Sequence, residues 1–289
     1  MKQITKTGWM LIVAVFLSTV ICHPSYASKQ KSSPLKPPPS VYLEDLTWVE
    51  IRERMDGGAK TVIIPTGGTE QNGPHLAVGK HNFIVRQTAG DIARRLGNVL
   101  VAPVIAYVPE GRIHPPEGHM QFSGTISIRS EVLELVLEDA ARSFKQHGFT
   151  TIAMIGDHGG SQEAQKKVAE KLSREWQGSG VTVVHVSDYY DSANGQEKWA
   201  RGIQLKDTNP AAHGGYFDSS ELLAIKPDAV RKDKFAARGE ADYQATGAMG
   251  DSTDANADHG RFLLKLKADA AVDQILRARA AAGKAVKAP

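Results

Sequence analysis

The sequence predicts an α/β fold with a mostly parallel sheet, on three observations. Short apolar, β-branched runs at Val62–Ile64, Val99–Val104, Thr151–Ile155 and Val181–Val186 read as buried strands. Between them, Phe83–Leu96, Glu131–His147 and Gln162–Trp176 carry the helical segments; Val132, Leu135, Val136, Ala140 and Phe144 recur at helical spacing in the second. Strands that alternate with helices of this length imply right-handed βαβ crossovers.

The bounds agree with one sizeable domain. The chain has 289 residues, 41% hydrophobic and 23% charged, and carries a net charge of +3 with no long Lys/Arg run. A polyanionic partner is therefore not indicated, and nucleic-acid binding is not expected. Residues 1–27 read as a secretory signal: Lys2 and Lys6 form a basic start, Trp9–Ile21 an apolar core, and Ser25-Tyr26-Ala27 a small-x-small cleavage site. An exported protein, periplasmic or secreted, follows, with a retained N-terminal anchor as the alternative. The apolar run is too short to span a bilayer comfortably, so no membrane association is expected after cleavage. Cys22 is the sole cysteine. Its removal with the signal excludes disulfides, thiolate ligands and a Cys nucleophile. Any metal must then be held by His, Asp, Glu or Asn.

Taken in order, residues 28–41 are Pro-rich and read as a linker, and residues 42–289 as the folded domain. A first helix through Leu46, Val49, Ile51 and Met55 ends at Gly57-Gly58. Glu110–Thr125 has no period and reads as a loop, Ala193–Ala212 as irregular, Asp218–Ile225 as a short helix stopped by Pro227, Ala245–Asp258 as a loop, and Gly260–Ala282 as a terminal helix.

The strand at Val62–Ile64 empties into a Gly/Pro-rich loop holding Glu70, Asn72 and His75, with His81 beyond it; the strand at Thr151–Ile155 ends in Gly156-Asp157-His158-Gly159-Gly160-Ser161. In an open α/β sheet, ligands bind outside the carboxyl ends of strands. Imidazole and carboxylate suit a divalent ion, and a catalytic site needs three protein ligands plus water. Glu70, His81 and His158 are the candidate trio. The plain alternative is that Asp157–Ser161 makes a tight turn in which Ser161 caps the next helix, and the two readings can hold together. His213-Gly214-Gly215 followed by Asp218-Ser219-Ser220 has the same double character. Other mechanisms are missing: Gly73 to Gly79-Lys80 is one residue too long for a phosphate loop, and no G-x-S-x-G or H-E-x-x-H occurs.

Four segments together resemble the creatininase (creatinine amidohydrolase) family. Gly68-Thr69-Glu70-Gln71-Asn72-Gly73-Pro74-His75-Leu76 is similar to its first motif, His119-Met120-Gln121-Phe122-Ser123-Gly124-Thr125 to its second, Gly156–Ser161 to its third, and His213–Ser220 to its fourth. Gly247–Asp251 with Gly260-Arg261 also resembles the family's ending. The resemblance implies a three-layer α/β/α hydrolase of carbon–nitrogen bonds, acting on a small-molecule amide and often a homo-oligomer such as a hexamer. It implies a divalent metal, zinc first and manganese or iron as alternatives. Glu70 and His158 fall on ligand positions unchanged. Asn72 stands where the family usually has a His ligand, His81 where it has an Asp that can bridge two metals, and Gly160 where creatininase itself has Glu but many relatives have Gly. These departures point to one ion rather than two, held by Glu70, His81 and His158 with Asp218 or Asn72 nearby. His213 would then serve as proton donor to the leaving nitrogen, oriented by Asp218, and the amides of Gly159-Gly160 would stabilise the oxyanion. The alternative function is a catalytically impaired domain that binds a small molecule or a partner.

Overall fold

The computed structural model describes residues 40–206 and 208–285. The expected signal and nearly all of the linker lie outside the described residues. Four parallel strands form the main sheet in the order β2-β1-β3-β4: β1 Thr61–Thr66, β2 Val99–Val101, β3 Thr151–Gly156 and β4 Thr182–His185. Eight α-helices punctuate the described residues. They are α1 Trp48–Asp56, α2 Lys80–Leu96, α3 Ser130–Gln146, α4 Gln162–Glu175, α5 Gln196–Gly202, α6 Tyr216–Ile225, α7 Tyr243–Thr246 and α8 Ala257–Ala285. A two-stranded antiparallel ribbon pairs β5 Ala237–Arg238 with β6 Gly250–Asp251. Among the described residues no helix is long and apolar enough to cross a membrane.

Strand side chains alternate between faces, and here both faces are covered. On one face Val62, Ile64, Ile152 and Met154 pack with Leu133, Leu137 and Ala141 of α3 and with Ala164, Val168 and Leu172 of α4. On the other, Ile63, Val99, Ala153 and Ile155 pack with Val85, Ala89 and Ile92 of α2 and with Ala268, Ala271 and Ile275 of α8. The result is the expected three-layer α/β/α arrangement. A capping box starts α1: Thr47 Oγ1 accepts from Glu50 N–H, and Glu50 Oε2 accepts from Thr47 N–H.

The elements depart from expectation in three places. β2 stops at Val101, because Pro103 has no N–H to continue a ladder. The expected loop Ala245–Asp258 holds β6. The irregular stretch from Ala193 contains α5, whose buried residues include polar Gln196, so no apolar period announces it.

Register sets the site. Thr66 and Gly156, the last residues of β1 and β3, are direct partners. The chain therefore leaves both strands side by side at the carboxyl rim. On the other flank of β1, the long segment after β2 follows its extension: Gly67 N–H donates to Ile105 O, and Ile126 N–H to Thr69 O. Leu137 is fully buried between α3 and the sheet. Leu137→Ala is expected to cost about 3 kcal/mol, read as a lowered urea midpoint in equilibrium unfolding.

Candidate metal centre

Glu70 lies at the bottom of a cavity of about 550 Å³ whose walls include His119, His158, His213, Tyr190 and Asp218. Its carboxylate is fully buried. Oε1 meets His81 Nε2 at 2.8 Å, while Oε2 meets His119 Nε2 at 3.0 Å and His158 Nε2 at 3.1 Å. A second buried carboxylate, Glu110, stands beside it, with Oε2 3.0 Å from His158 Nε2. One donor atom each from Glu70, Glu110, His119 and His158 lies within 4.8 Å of the others.

Each of the four is placed by a different local device. Glu70 follows β1, with its N–H held by Val78 O. His158 follows β3. Glu110 and His119 come from the loop after β2, pinned by Glu110 N–H to Ser127 Oγ at 3.0 Å and by His119 N–H to Glu110 O at 3.1 Å. Gly68 leaves this space open: a Cβ would fall 2.6 Å from Glu110 Oε1 and oblige that carboxylate to move. His119 Nδ1 faces Gln71 Nε2 at 2.9 Å and Tyr243 Oη at 3.1 Å.

The electrostatics are those of a cation site. Burial, and then the Glu70 charge, push Glu110 up to about 10. Both Glu110 oxygens are buried without a hydrogen-bond partner among the described residues. Burial works against the charge on Glu70, but His158 and His81 overcome it and hold its pKa well below the ordinary value. Burial lowers His158 and His119, so both rings are neutral at pH 7 and offer lone pairs. Two imidazoles and two carboxylates, one of them orphaned, fit a divalent ion of the zinc or manganese type. Without an ion, His158 Nδ1 accepts from Gly160 N–H at 3.1 Å, which leaves its proton on Nε2 against Glu70. Ligation through Nε2 would require the other tautomer, so an ion and the Gly160 hydrogen bond compete for this ring.

The expected residues separate as follows. Glu70 and His158 join the four-residue group. His81 touches Glu70, but its Nδ1 is taken by Asp157 Oδ2 at 2.8 Å. Burial and the charge of Lys80 oppose a charged ring there, yet the hydrogen bonds to Asp157 and Glu70 raise its pKa. Asn72 does not line the cavity; its amide donates to Glu70's own carbonyl at 2.9 Å. His75 likewise turns away, onto Gly214 O at 2.7 Å. His213 is in the cavity wall, and its Nδ1 lies 3.7 Å from Glu70 Oε1. Its Nε2 donates to Gln71 O at 2.8 Å, and burial pushes its pKa down to about 4. Asp218 makes no hydrogen bond to that ring. It pairs with Lys80 at 2.7 Å and accepts from Gly214 N–H, fixing the backbone beside His213. Without an ion Gly160 N–H is spent on His158, so in that state it is not free for the expected oxyanion pair. Ser161 caps no helix with its side chain and donates to His158 O instead.

Glu110 was not among the expected ligands, and His119 was noted only within a motif. The available signal was positional: β2 neighbours β1, so the segment after β2 emerges at the same rim.

A three-layer α/β/α scaffold with a buried carboxylate–imidazole cluster at the carboxyl ends of its strands defines a metal-hydrolase class of site. The sequence profile of the creatininase family (creatinine amidohydrolase) matches residues 44–275, and the chain belongs to that family. It is 28% identical over 236 residues to the mycofactocin precursor peptide peptidase of Mycolicibacterium smegmatis, covering 75% of this chain and 84% of that protein. It is 24% identical to the creatinine amidohydrolase of Pseudomonas putida, over 82% of this chain and 96% of that one. A crystal structure of creatinine amidohydrolase superposes with a TM-score of 0.68 at 23% identity, over 83% of this chain and 98% of that chain. Similar solved chains include a Zn-Zn type creatininase and a manganese form.

Glu110→Gln and His119→Ala are each expected to weaken zinc binding by more than the roughly 10–100-fold that a supporting residue costs, whereas Asn72→Ala leaves it within about twofold. Isothermal titration of the metal-stripped variants checks this.

Proposed function

We propose that this protein is a metal-dependent amidohydrolase that cleaves a carbon–nitrogen bond in a small molecule with a water nucleophile. The observation that carries the reading is the four-donor group of Glu70, Glu110, His119 and His158, three of which, Glu70, His119 and His158, line the cavity. One ion, zinc or manganese, is the proposed complement. A Cβ at Gly160 would sit 2.2 Å from Pro109 O, so the position where creatininase itself carries Glu has no room for a side chain. Asn72, in place of a second family ligand, turns its amide away.

A divalent ion held by these residues supplies carbonyl polarisation and a water acidified towards a pKa of about 7. The protein's own groups do the rest. Glu70 and Glu110 supply the negative charge that retains the ion. His213 presents an unprotonated Nδ1 to the cavity, because its Nε2 proton is committed to Gln71 O. It takes a proton from the attacking water at Nδ1 and returns it to the leaving nitrogen, a shuttle in place of the simple donor expected from the sequence. Gln71 and Asp218 hold that ring and its backbone.

A second reading keeps the cavity and drops the chemistry. Glu70 already accepts hydrogen bonds from His81 and His158, so it is satisfied without a metal, as a binding module would need. Metal content separates the two: about one equivalent of zinc or manganese supports the hydrolase, and none at neutral pH supports the binder. Export and homo-oligomeric assembly remain part of the proposal, supported by the N-terminal sequence pattern and the family resemblance respectively.

In an amidase panel of cyclic amides and short peptides, His158→Ala is expected to abolish turnover. His213→Gln is expected to lower kcat by about 10²–10⁴-fold while metal content stays at the wild-type level. Turnover by peptides alone would move the substrate to the class named for the mycobacterial relatives. Chelation is expected to lower Tm by about 10 °C, since an ion at a thousand times its Kd contributes about 4 kcal/mol; differential scanning calorimetry with and without a chelator reads it.

A further inference from the structure

A chain of hydrogen bonds, four of whose members (His81, Asp157, Glu221 and Lys267) line the cavity, ends on Glu70. Lys267, on α8, gives Nζ to Asp157 Oδ1 at 2.6 Å and to Glu221 Oε2 at 3.2 Å. Tyr189 Oη, joined to Thr88 Oγ1, donates to the same Asp157 oxygen at 2.8 Å. With Oδ1 so occupied, Asp157 turns Oδ2 to His81 Nδ1 at 2.8 Å, and the opposite ring nitrogen reaches Glu70 Oε1 at 2.8 Å. Every member is buried, from Tyr189 at 0% exposed to Lys267 at 7%.

We infer that His81 is a positioning residue and not a ligand: clamped by Asp157, it ties down one oxygen of Glu70 and leaves the other for an ion shared with His119 and His158. The inference rests on the metal-centre reading above and adds to it the residue that sets the aim of Glu70. A ligand must direct a lone pair at the ion, and both nitrogens of His81 point at carboxylates within hydrogen-bond range. The two oxygens of Glu70 are accordingly unequal. Oε2 lies 3.0 and 3.1 Å from His119 and His158, while Oε1 faces the clamp and comes no nearer than 3.7 Å to His213. An unclamped glutamate could rotate or offer both oxygens. Partners of a ligand fix its orientation in this way and share in its affinity. The clamp is stiff because it is anchored in different parts of the chain: Asp157 at the end of β3, Glu221 on α6 and Lys267 on α8.

The test uses the full chain loaded with Co²⁺, whose visible spectrum reports the ligand field. Affinity is measured by competition with a chromogenic chelator in wild type, His81→Phe, Asp157→Asn, the double variant and Tyr189→Phe. Expected is one cobalt per chain in His81→Phe, bound 10–100-fold more weakly, with shifted absorption bands. Asp157→Asn should shift both readouts in the same direction, and the double variant should be no weaker than His81→Phe alone, because Asp157 acts through the ring. Full additivity, an unchanged spectrum and affinity in His81→Phe, or loss of cobalt from a folded His81→Phe each overturns the inference. Should His81→Phe fail to fold, Asp157→Asn and Tyr189→Phe decide: weaker binding with shifted bands supports the clamp, and wild-type behaviour in both overturns it. Wild-type protein that takes up no cobalt overturns the metal reading itself, a different result from cobalt uptake that is indifferent to the clamp.

Discussion

A fully buried carboxylate, Glu70, is the constraint around which the rest is arranged. An ionised group taken out of water costs several kcal/mol unless its surroundings replace the lost hydration. Here three imidazoles converge on its two oxygens, and each arrives from a different stretch of the chain. Gathering them requires adjacent strand ends, and the pairing of Thr66 with Gly156 provides two at once. The segment after β2 provides a third by following the extension of β1.

The second buried acid changes what the cluster is for. Glu70 alone is satisfied by its ring partners, but Glu110 is buried beside it with only the shared His158 ring and the Glu70 carboxylate near its oxygens. A site adapted only to stability would exclude such a group or pair it. Its retention, with a glycine at position 68 to make room, fits a cation as the missing partner. The family membership of the chain and this unpaired acid converge on the same conclusion from independent directions.

Around that centre a second layer of charge is closed among its own members. Lys80 pairs with Asp218, and Lys267 with Asp157 and Glu221. Against the cost of burial, Asp157 and Glu221 raise Lys267 well above its ordinary pKa. None of these groups is left to neutralise Glu110. The layer holds His81, the backbone of His213 and the start of α2 in place, and leaves Glu110, protonated in the absence of an ion, with no lysine or arginine partner.

The amino-acid sequence by itself determined the layered α/β architecture, because buried strands and amphipathic helices are written in residue periodicity, and periodicity is local. It also marked Glu70 and His158, which directly follow apolar strands and match family motifs. Helix α5 and the true extent of β2 escaped it: one buries polar side chains, and the other ends on a proline inside an apolar run. The convergence of Glu110, His119 and His81 around Glu70 and His158 was decided only by tertiary structure. Glu110 is one acid in a loop without period, and nothing local distinguishes it from a solvated one. Whether an imidazole binds an ion or clamps a carboxylate depends on what its second nitrogen meets, and for His81 that is Asp157, 76 residues away.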